Sequence, residues 1–295
     1  MVERSFRKAE VMSSNLTIGF VDLQQKYNSL KQSLTRLGKV AIAFSGGVDS
    51  SLLLKVAADT LTPKNVLACY ATSPSQPEFQ RKTAIDFADS LNVKLIQIPT
   101  NEISDPDYVA NRPDRCYVCK IHILAAIKKT AYDQGFENIL CGNNVDDEKD
   151  FRPGNLAVKE QSAICPLFNA NLTKSDIRQL SRQLNLPTAE IPSSPCLASR
   201  VAYGIEITAE RLKQVEDAES YLRQLGFVEF RVRHHGDIAR IEVLPAQMDK
   251  ALSQRKQISE KLKSIGFKFV TLDMRGLRSG SLNEALSNED KKRFI

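Results

Sequence analysis

The chain of 295 residues has no run of eighteen apolar residues, so nothing in it reads as a membrane-spanning helix. Its opening stretch, Met1 to Glu10, mixes both charge signs where a secretory leader would place a basic patch before an apolar block. The cytoplasm is therefore the expected compartment. There is no internal repeat and no low-complexity tract, which excludes solenoids and arrays. A dense basic stripe is also missing. The formal net charge is only +6, with basic side chains in excess before residue 41 and after residue 199 and acidic ones in slight excess between. That balance argues against a nucleic-acid partner, which needs many phosphate-binding cations. Six cysteines on a chain of this length suggest metal or redox chemistry rather than a disulfide scaffold. What the chain does have is 42% apolar composition, enough for one large or two modest globular domains.

Phe20, Leu23, Tyr27, Leu30 and Leu34 recur at spacings of three or four, which predicts a helix over 19–37 that Gly38 stops. A strand over 39–44, a glycine turn over 45–50 and an apolar helix from about Ser51 follow. Apolar strands over 65–71, 93–98 and 138–142 alternate with helices over 77–91 and after Cys119. Short apolar strands alternating with helices imply an α/β fold with a parallel sheet covered on both faces and ligands at the carboxyl ends of its strands. After Arg200 the pattern becomes a helix over 208–224, strands over 228–233 and 238–243, a helix over 246–264 and a strand over 267–272. This predicts a smaller α+β unit with an antiparallel sheet. The expected division is 1–200 and 201–295, with the break between Pro192 and Tyr203.

The most specific stretch is Ser45-Gly46-Gly47-Val48-Asp49-Ser50, placed directly after an apolar strand. Two glycines let the backbone approach an anion, and a helix beginning at once adds unpaired N–H groups and a positive dipole end. Phosphate is the natural occupant, although the Gly-x4-Gly-Lys-Ser/Thr pattern of a P-loop is absent. Cys116 and Cys119 form a Cys-x2-Cys pair, open to structural zinc, a redox disulfide or cluster ligation. With Cys196 as a third thiolate, a [4Fe-4S] cube would retain one iron without a protein ligand. Cys69, Cys141 and Cys165 lie in apolar segments and read as small core residues.

The stretch from Ser45 to Ser50 resembles the pyrophosphate-binding loop of the ATP pyrophosphatase superfamily, whose members split ATP between its α and β phosphates to adenylate a substrate. That resemblance implies that Ser45, Gly46, Gly47 and Ser50 cradle pyrophosphate and that Asp49 helps to hold Mg²⁺. It also places Ala71-Thr72-Ser73 beside adenosine, and Asp146 and Asp147 near ATP and metal, with Glu148 a weaker candidate. Three separated stretches, Pro195-Cys196-Leu197-Ala198-Ser199-Arg200, Gly142 to Asp147 and Arg231 to Glu242, resemble the LarE family of ATP-dependent sulfur transferases over nearly the whole chain.

Membership of that family implies adenylation of a carboxylate of pyridinium-3,5-biscarboxylic acid mononucleotide, followed by its replacement with thiocarboxylate. Two rounds give the precursor of the nickel-pincer nucleotide cofactor of lactate racemase. One branch sacrifices the sulfur of the cysteine matching Cys196, whereas a three-cysteine branch delivers sulfide from a [4Fe-4S] cluster; Cys116, Cys119 and Cys196 place this chain in the second. The resemblance further implies that Arg231, Arg233 and Arg278 clamp the substrate phosphate, with Glu219 lining the same pocket and Arg200 near the sulfur site. Guanidinium groups suit that task because they bind phosphate bidentately. His234 and His235 are neighbours on a strand and face opposite ways, so at least one has a packing or surface role. The family further implies a homohexamer, an upstream sulfide donor and a downstream nickel-insertion protein. The rival readings are a tRNA thiolase of the same superfamily and a non-catalytic ATP-binding protein with structural zinc. Cys116→Ala is expected to abolish repeated turnover, leaving at most a few per cent of the multiple-turnover rate, while ATP–pyrophosphate exchange persists.

Overall fold

The structure, a computed structural model, describes residues 22–148, 152–192, 195–278 and 280–287. Residues 22–37 form helix α1; the expected start of that helix, 19–21, lies outside the described residues. Leu23, Leu30 and Leu34 are buried, as their helical spacing requires. Gly38 ends the helix in a left-handed conformation (φ +68°), its N–H donating to Leu34 O at 3.1 Å. Next come β1 (Val40–Ala43), α2 (Val48–Leu61), β2 (Val66–Thr72), α3 (Glu78–Ser90) and β3 (Lys94–Pro99). They are followed by α4 (Pro106–Val109), α5 (Arg115–Asp133), β4 (Asn138–Leu140), α6 (Gly154–Glu160), α7 (Pro166–Asn169) and α8 (Lys174–Gln183).

The four strands form a parallel sheet in the order β3-β2-β1-β4. β1 is buried on both faces, which is why it reads as an unbroken apolar run: Val40 and Ile42 join a core with α1, α2 and α8, while Ala41 joins a second core with Ile127 and Ala131 of α5. The chain moves outward from β1 to β3 and then returns to the other side of β1 as β4. That reversal opens a crevice at the carboxyl ends of β1 and β4, where ligands of open α/β sheets bind. The loops after these two strands are 44–47 and 141–144.

Beyond Arg200 the chain builds α9 (Ala209–Gln224), β5 (Phe230–His235), β6 (Ile238–Val243), α10 (Met248–Ser253), α11 (Arg255–Ser264) and β7 (Phe269–Leu272). Its core includes Leu222, Phe230, Val232, Ile241 and Leu262. Three expectations are corrected. The second sheet is mixed: β5 and β6 are antiparallel around Gly236 (φ +67°), but α10 and α11 carry the chain back so that β7 runs parallel to β6. The helix expected over 246–264 divides at Gln254, whose backbone (φ −97°, ψ 8°) leaves the helical region. The helix expected after Cys119 begins at Arg115, so both cysteines of the pair lie in its first turns.

The stretch expected to break the chain is a packed joint. Leu197, Val201 and Ile207 bury themselves with Tyr108, Leu212 and Val215. Asn111, itself at φ +51°, donates its side-chain amide to Ala202 O and Ile205 O, both at 2.8 Å. Ala202 N–H bonds to His234 O on β5 at 3.0 Å. His234 has the packing role: its ring lies 5.2 Å from that of Phe267 and its Nε2 is 3.0 Å from Gln214 Oε1. Burial pushes its pKa down to about 4. An unfolded chain takes up this proton near pH 6.5, whereas the folded chain does so only near pH 4, so the stability contributed by neutral His234 is complete above 6.5 and is lost as pH falls towards 4. His234→Phe is expected to flatten the pH dependence of the urea midpoint across that window.

Candidate active site at the strand ends

Gly46 takes a left-handed backbone (φ +74°), and a Cβ there would come within 3.1 Å of Ala84 Cβ on α3. Gly47 then stands at the N-cap of α2 with no side chain to accept from the helix's first amides. Those amides and the dipole end are left for an anion. Ser45 Oγ and Ser50 Oγ lie 3.2 Å apart across the loop, and Ser50 Oγ donates to Gly47 O at 3.1 Å, which holds the turn in shape. From the far side of the crevice, Gly142 lies against the start of α2; a Cβ there would be 3.1 Å from Ser50 N. The glycine thus lets the end of β4 approach the loop.

Carboxylates gather beside that loop. Asp49 accepts from Asn144 Nδ2 at 3.2 Å and forms an ion pair with Lys174. Asp147 accepts from Asn144 N–H at 3.0 Å and pairs with Arg152 at 2.5 Å. Burial pushes the Asp147 carboxyl up, the backbone N–H of Asn144 and Arg152 oppose this, and the charge of Asp49 adds to it. Asp146 accepts from Lys174 N–H at 2.8 Å, and Glu148 is exposed. Sequence reasoning missed Lys174 and Arg152. A signal for the first existed: Thr173 and Asp176 form a capping box that starts α8 and fixes Lys174 in its first turn.

The three thiols share a second neighbourhood at the ends of β2 and β3. Leu197 N–H bonds to Ser75 O at 2.8 Å, and Ser75 N–H to Ser73 Oγ at 3.2 Å, so the Cys196 segment is tied to the end of β2. Burial pushes Cys119 and Cys196 up; Arg115 opposes the rise at Cys196 while Cys116 adds to it, and Cys119 feels both Cys196 and Cys116. Arg115, buried and bonded to Asn111, points Nη2 at Cys116 Sγ from 3.9 Å. The arginine and the asparagine beneath it were also missed. All six cysteines are free thiols. Cys69 and Cys141 are buried and Cys165 partly so; burial pushes Cys69 and Cys165 up to about 12.

Among the described residues, no three histidine, cysteine or carboxylate side chains converge closely enough to hold a single metal ion. Mg²⁺ does not need such a cage, because it takes one or two carboxylates and completes its shell with phosphate oxygens and water. Asp49 and Asp147 beside uncapped amides fit that demand. An iron–sulfur cube presents its corners apart, so its thiolate ligands need not meet at one point.

The arginines expected to clamp a substrate phosphate each make contacts inside the protein. Arg200 is buried and pairs with Glu219 (Nε to Oε1 2.9 Å), which also accepts from Val232 N–H at 3.1 Å. Glu219 is thus an internal counter-ion. Arg233 is held by Glu242 at 2.8 Å, Ser281 Oγ at 2.9 Å and Ser199 O at 3.0 Å. Arg278 is tied to Glu284 at 2.8 Å and to Asp273 at 3.3 Å. Arg231 donates to Phe230 O at 2.6 Å, and burial with Arg200 and Arg233 nearby depresses it to about 10. Glu219 and Glu229 oppose that fall, so the guanidinium stands among internal carboxylates as well as cations.

Residues 23–111 match the family model described as NAD synthase. An uncharacterized protein of Synechocystis sp. is 39% identical over 90% of this chain and 99% of its own length. Pyridinium-3,5-bisthiocarboxylic acid mononucleotide synthase of Lactiplantibacillus plantarum is 36% identical over 92% of this chain and 99% of its own length. An uncharacterized protein of Methanocaldococcus jannaschii is 31% identical over 85% and 95%. A glycine loop feeding an uncapped helix at the switch point of a parallel sheet, with this match, defines an enzyme of the PP-loop ATP pyrophosphatase class. Within that class, the chain belongs to the LarE family of ATP-dependent sulfurtransferases.

Glu219→Ala leaves Arg200 buried without its counter-ion and is expected to cost on the order of 3–5 kcal/mol in urea unfolding. Arg278→Ala, at an exposed pair, is expected to leave the urea midpoint close to that of the wild type.

Proposed function

We propose that this chain converts pyridinium-3,5-biscarboxylic acid mononucleotide to its thiocarboxylate forms by carboxylate adenylation and sulfur transfer, for nickel-pincer nucleotide synthesis. The observation that carries the reading is the tie between the thiol-bearing segment and the nucleotide side of the sheet, from Leu197 through Ser75 to Ser73. The 36% identity to the L. plantarum synthase supports the substrate. Ser45, Gly46, Gly47 and Ser50 hold the β and γ phosphates, Ser73 lies on the adenosine side, and Asp49, Asp147 and Asp146 serve the Mg²⁺ that accompanies ATP. Lys174 neutralises Asp49 until then.

A carboxylate resists sulfur attack because oxide would have to leave. Its oxygen therefore attacks the α phosphorus; a carboxyl O–P bond forms, the α–β bridging P–O bond breaks, and pyrophosphate departs against the α2 amides. A sulfur nucleophile then adds to the acyl-adenylate, and AMP leaves with the former carboxylate oxygen. Cys116, Cys119 and Cys196 would hold a [4Fe-4S] cluster, which would supply an iron without a cysteine ligand for sulfide. Arg115 offsets the negative charge of these thiolates. Arg231 faces the substrate phosphate, with Arg233, Arg278 and Glu219 bracing that wall through the contacts described above. Residues 1–200 form the ATP pyrophosphatase domain and 201–295 a smaller one for substrate and assembly, within a cytoplasmic homohexamer supplied by a sulfide donor and feeding a nickel-insertion protein. No described helix is long and apolar enough to cross a membrane.

Anaerobic enzyme incubated with ATP, Mg²⁺ and the biscarboxylate mononucleotide tests the reading by mass spectrometry of product and polypeptide. Thiocarboxylate over several turnovers with constant polypeptide mass is the expected result. Loss of H₂S from Cys196 would overturn the cluster route, and absence of thiocarboxylate would overturn the function.

A further inference from the structure

Among the described residues at the thiol site, Glu102 is a carboxylate that neither the mechanism nor the fold employs. It lies in the short turn Glu102–Ser104 after β3, and that turn packs against α4 and α5. Glu102 is 1% exposed, and neither carboxylate oxygen has a hydrogen-bond partner. Tyr108 hydroxyl bonds to Ser75 Oγ at 2.5 Å, and Arg115 to Asn111 and Cys116. Ile103, the neighbour of Glu102, packs with Tyr108, Cys119 and Cys196, and Cys119 and Tyr108 both feel the charge of Glu102, so the turn that carries the carboxylate lies against the thiol-bearing segments. A carboxylate buried without a partner is costly, and proteins retain such groups where a cation completes them.

We propose that Glu102 is the fourth protein ligand of the sulfur site, its carboxylate taking the iron that Cys116, Cys119 and Cys196 leave without a thiolate. The inference rests on the cluster reading above. Oxygen donors suit iron, and a carboxylate is more readily exchanged than a thiolate. Arrival of hydrosulfide breaks one iron–oxygen bond and forms one iron–sulfur bond, anion for anion, with no change in electron count. Glu102 thereby guards the open corner between rounds of sulfur delivery.

The full-length chain, reconstituted anaerobically with iron and sulfide, tests this in three forms: wild type, Glu102→Gln and Glu102→Asp. Iron content, the paramagnetic resonance signal of the reduced sample, optical titration with sodium sulfide and melting of the apo forms are read. Glu102→Gln is expected to give a shifted resonance and to bind sulfide on the order of tenfold more tightly, since no ligand has to be displaced. Its apo form is expected to melt at or above the apo wild type, because an unpaired buried charge has gone. Glu102→Asp keeps the carboxylate and is expected to keep the wild-type signal. Loss of iron from Glu102→Gln alone, with its apo form folded, equally marks a ligand.

An unchanged signal and sulfide affinity in Glu102→Gln, identical behaviour of the two variants, or an apo Glu102→Gln that no longer folds overturns the proposal. A wild-type chain that takes up no cluster, or whose cluster survives Cys116→Ala intact, overturns the cluster reading itself. That failure is separate from a cluster that forms normally and ignores Glu102.

Discussion

A helix that starts directly from a glycine leaves its first amides without acceptors, and this open end of α2 is the constraint around which the rest is arranged. Everything near it serves either to keep it open or to bring chemistry to it. Gly46 turns the chain where a side chain would strike α3, and Gly142 lets β4 approach without covering the amides. The order β3-β2-β1-β4 sets the open end where the strand order reverses, so that the loops after β1 and β4 flank it. Carboxylates so close to an anion site are tolerable only with cations in attendance. Lys174 on Asp49 and Arg152 on Asp147 meet that requirement.

Sulfur chemistry is attached to this nucleotide site by a second, mostly polar joint. Asn111 spans from the start of α5 to the backbone of 202–205 and holds Arg115 against Cys116. Cys196 arrives from the other direction on a segment anchored by Leu197, Arg200 and the Glu219 carboxylate. The buried ion pairs Arg200–Glu219 and Arg233–Glu242 gain little stability over apolar packing, yet they fix where the segment from 195 to 202 lies relative to β5. Positioning is what a site needs if one activated carbonyl must meet both a leaving AMP and an incoming sulfur.

The sequence made the first strand, the glycine loop and the following helix legible, because apolar runs, paired glycines and an immediate helix are local signals. Gly142 and the acidic stretch after β4 were legible for the same reason. The roles of the arginines were not. An arginine that meets a ligand and one that meets an internal glutamate produce the same alternating strand pattern, and only the fold shows Glu242 beneath Arg233 and Glu284 over Arg278. Lys174 and Asp49 meet across 125 residues of chain, a distance no spacing rule spans. The direction of β7 also escaped, since side-chain alternation is identical in parallel and antiparallel strands.

The central claim, that the open end of α2 receives pyrophosphate from an adenylating reaction, is tested most directly by labelled pyrophosphate. Exchange of label into ATP is predicted only when Mg²⁺ and the biscarboxylate mononucleotide are both present, with AMP and pyrophosphate as the nucleotide products. Formation of ADP and phosphate, or exchange that proceeds without the carboxylate substrate, would contradict it.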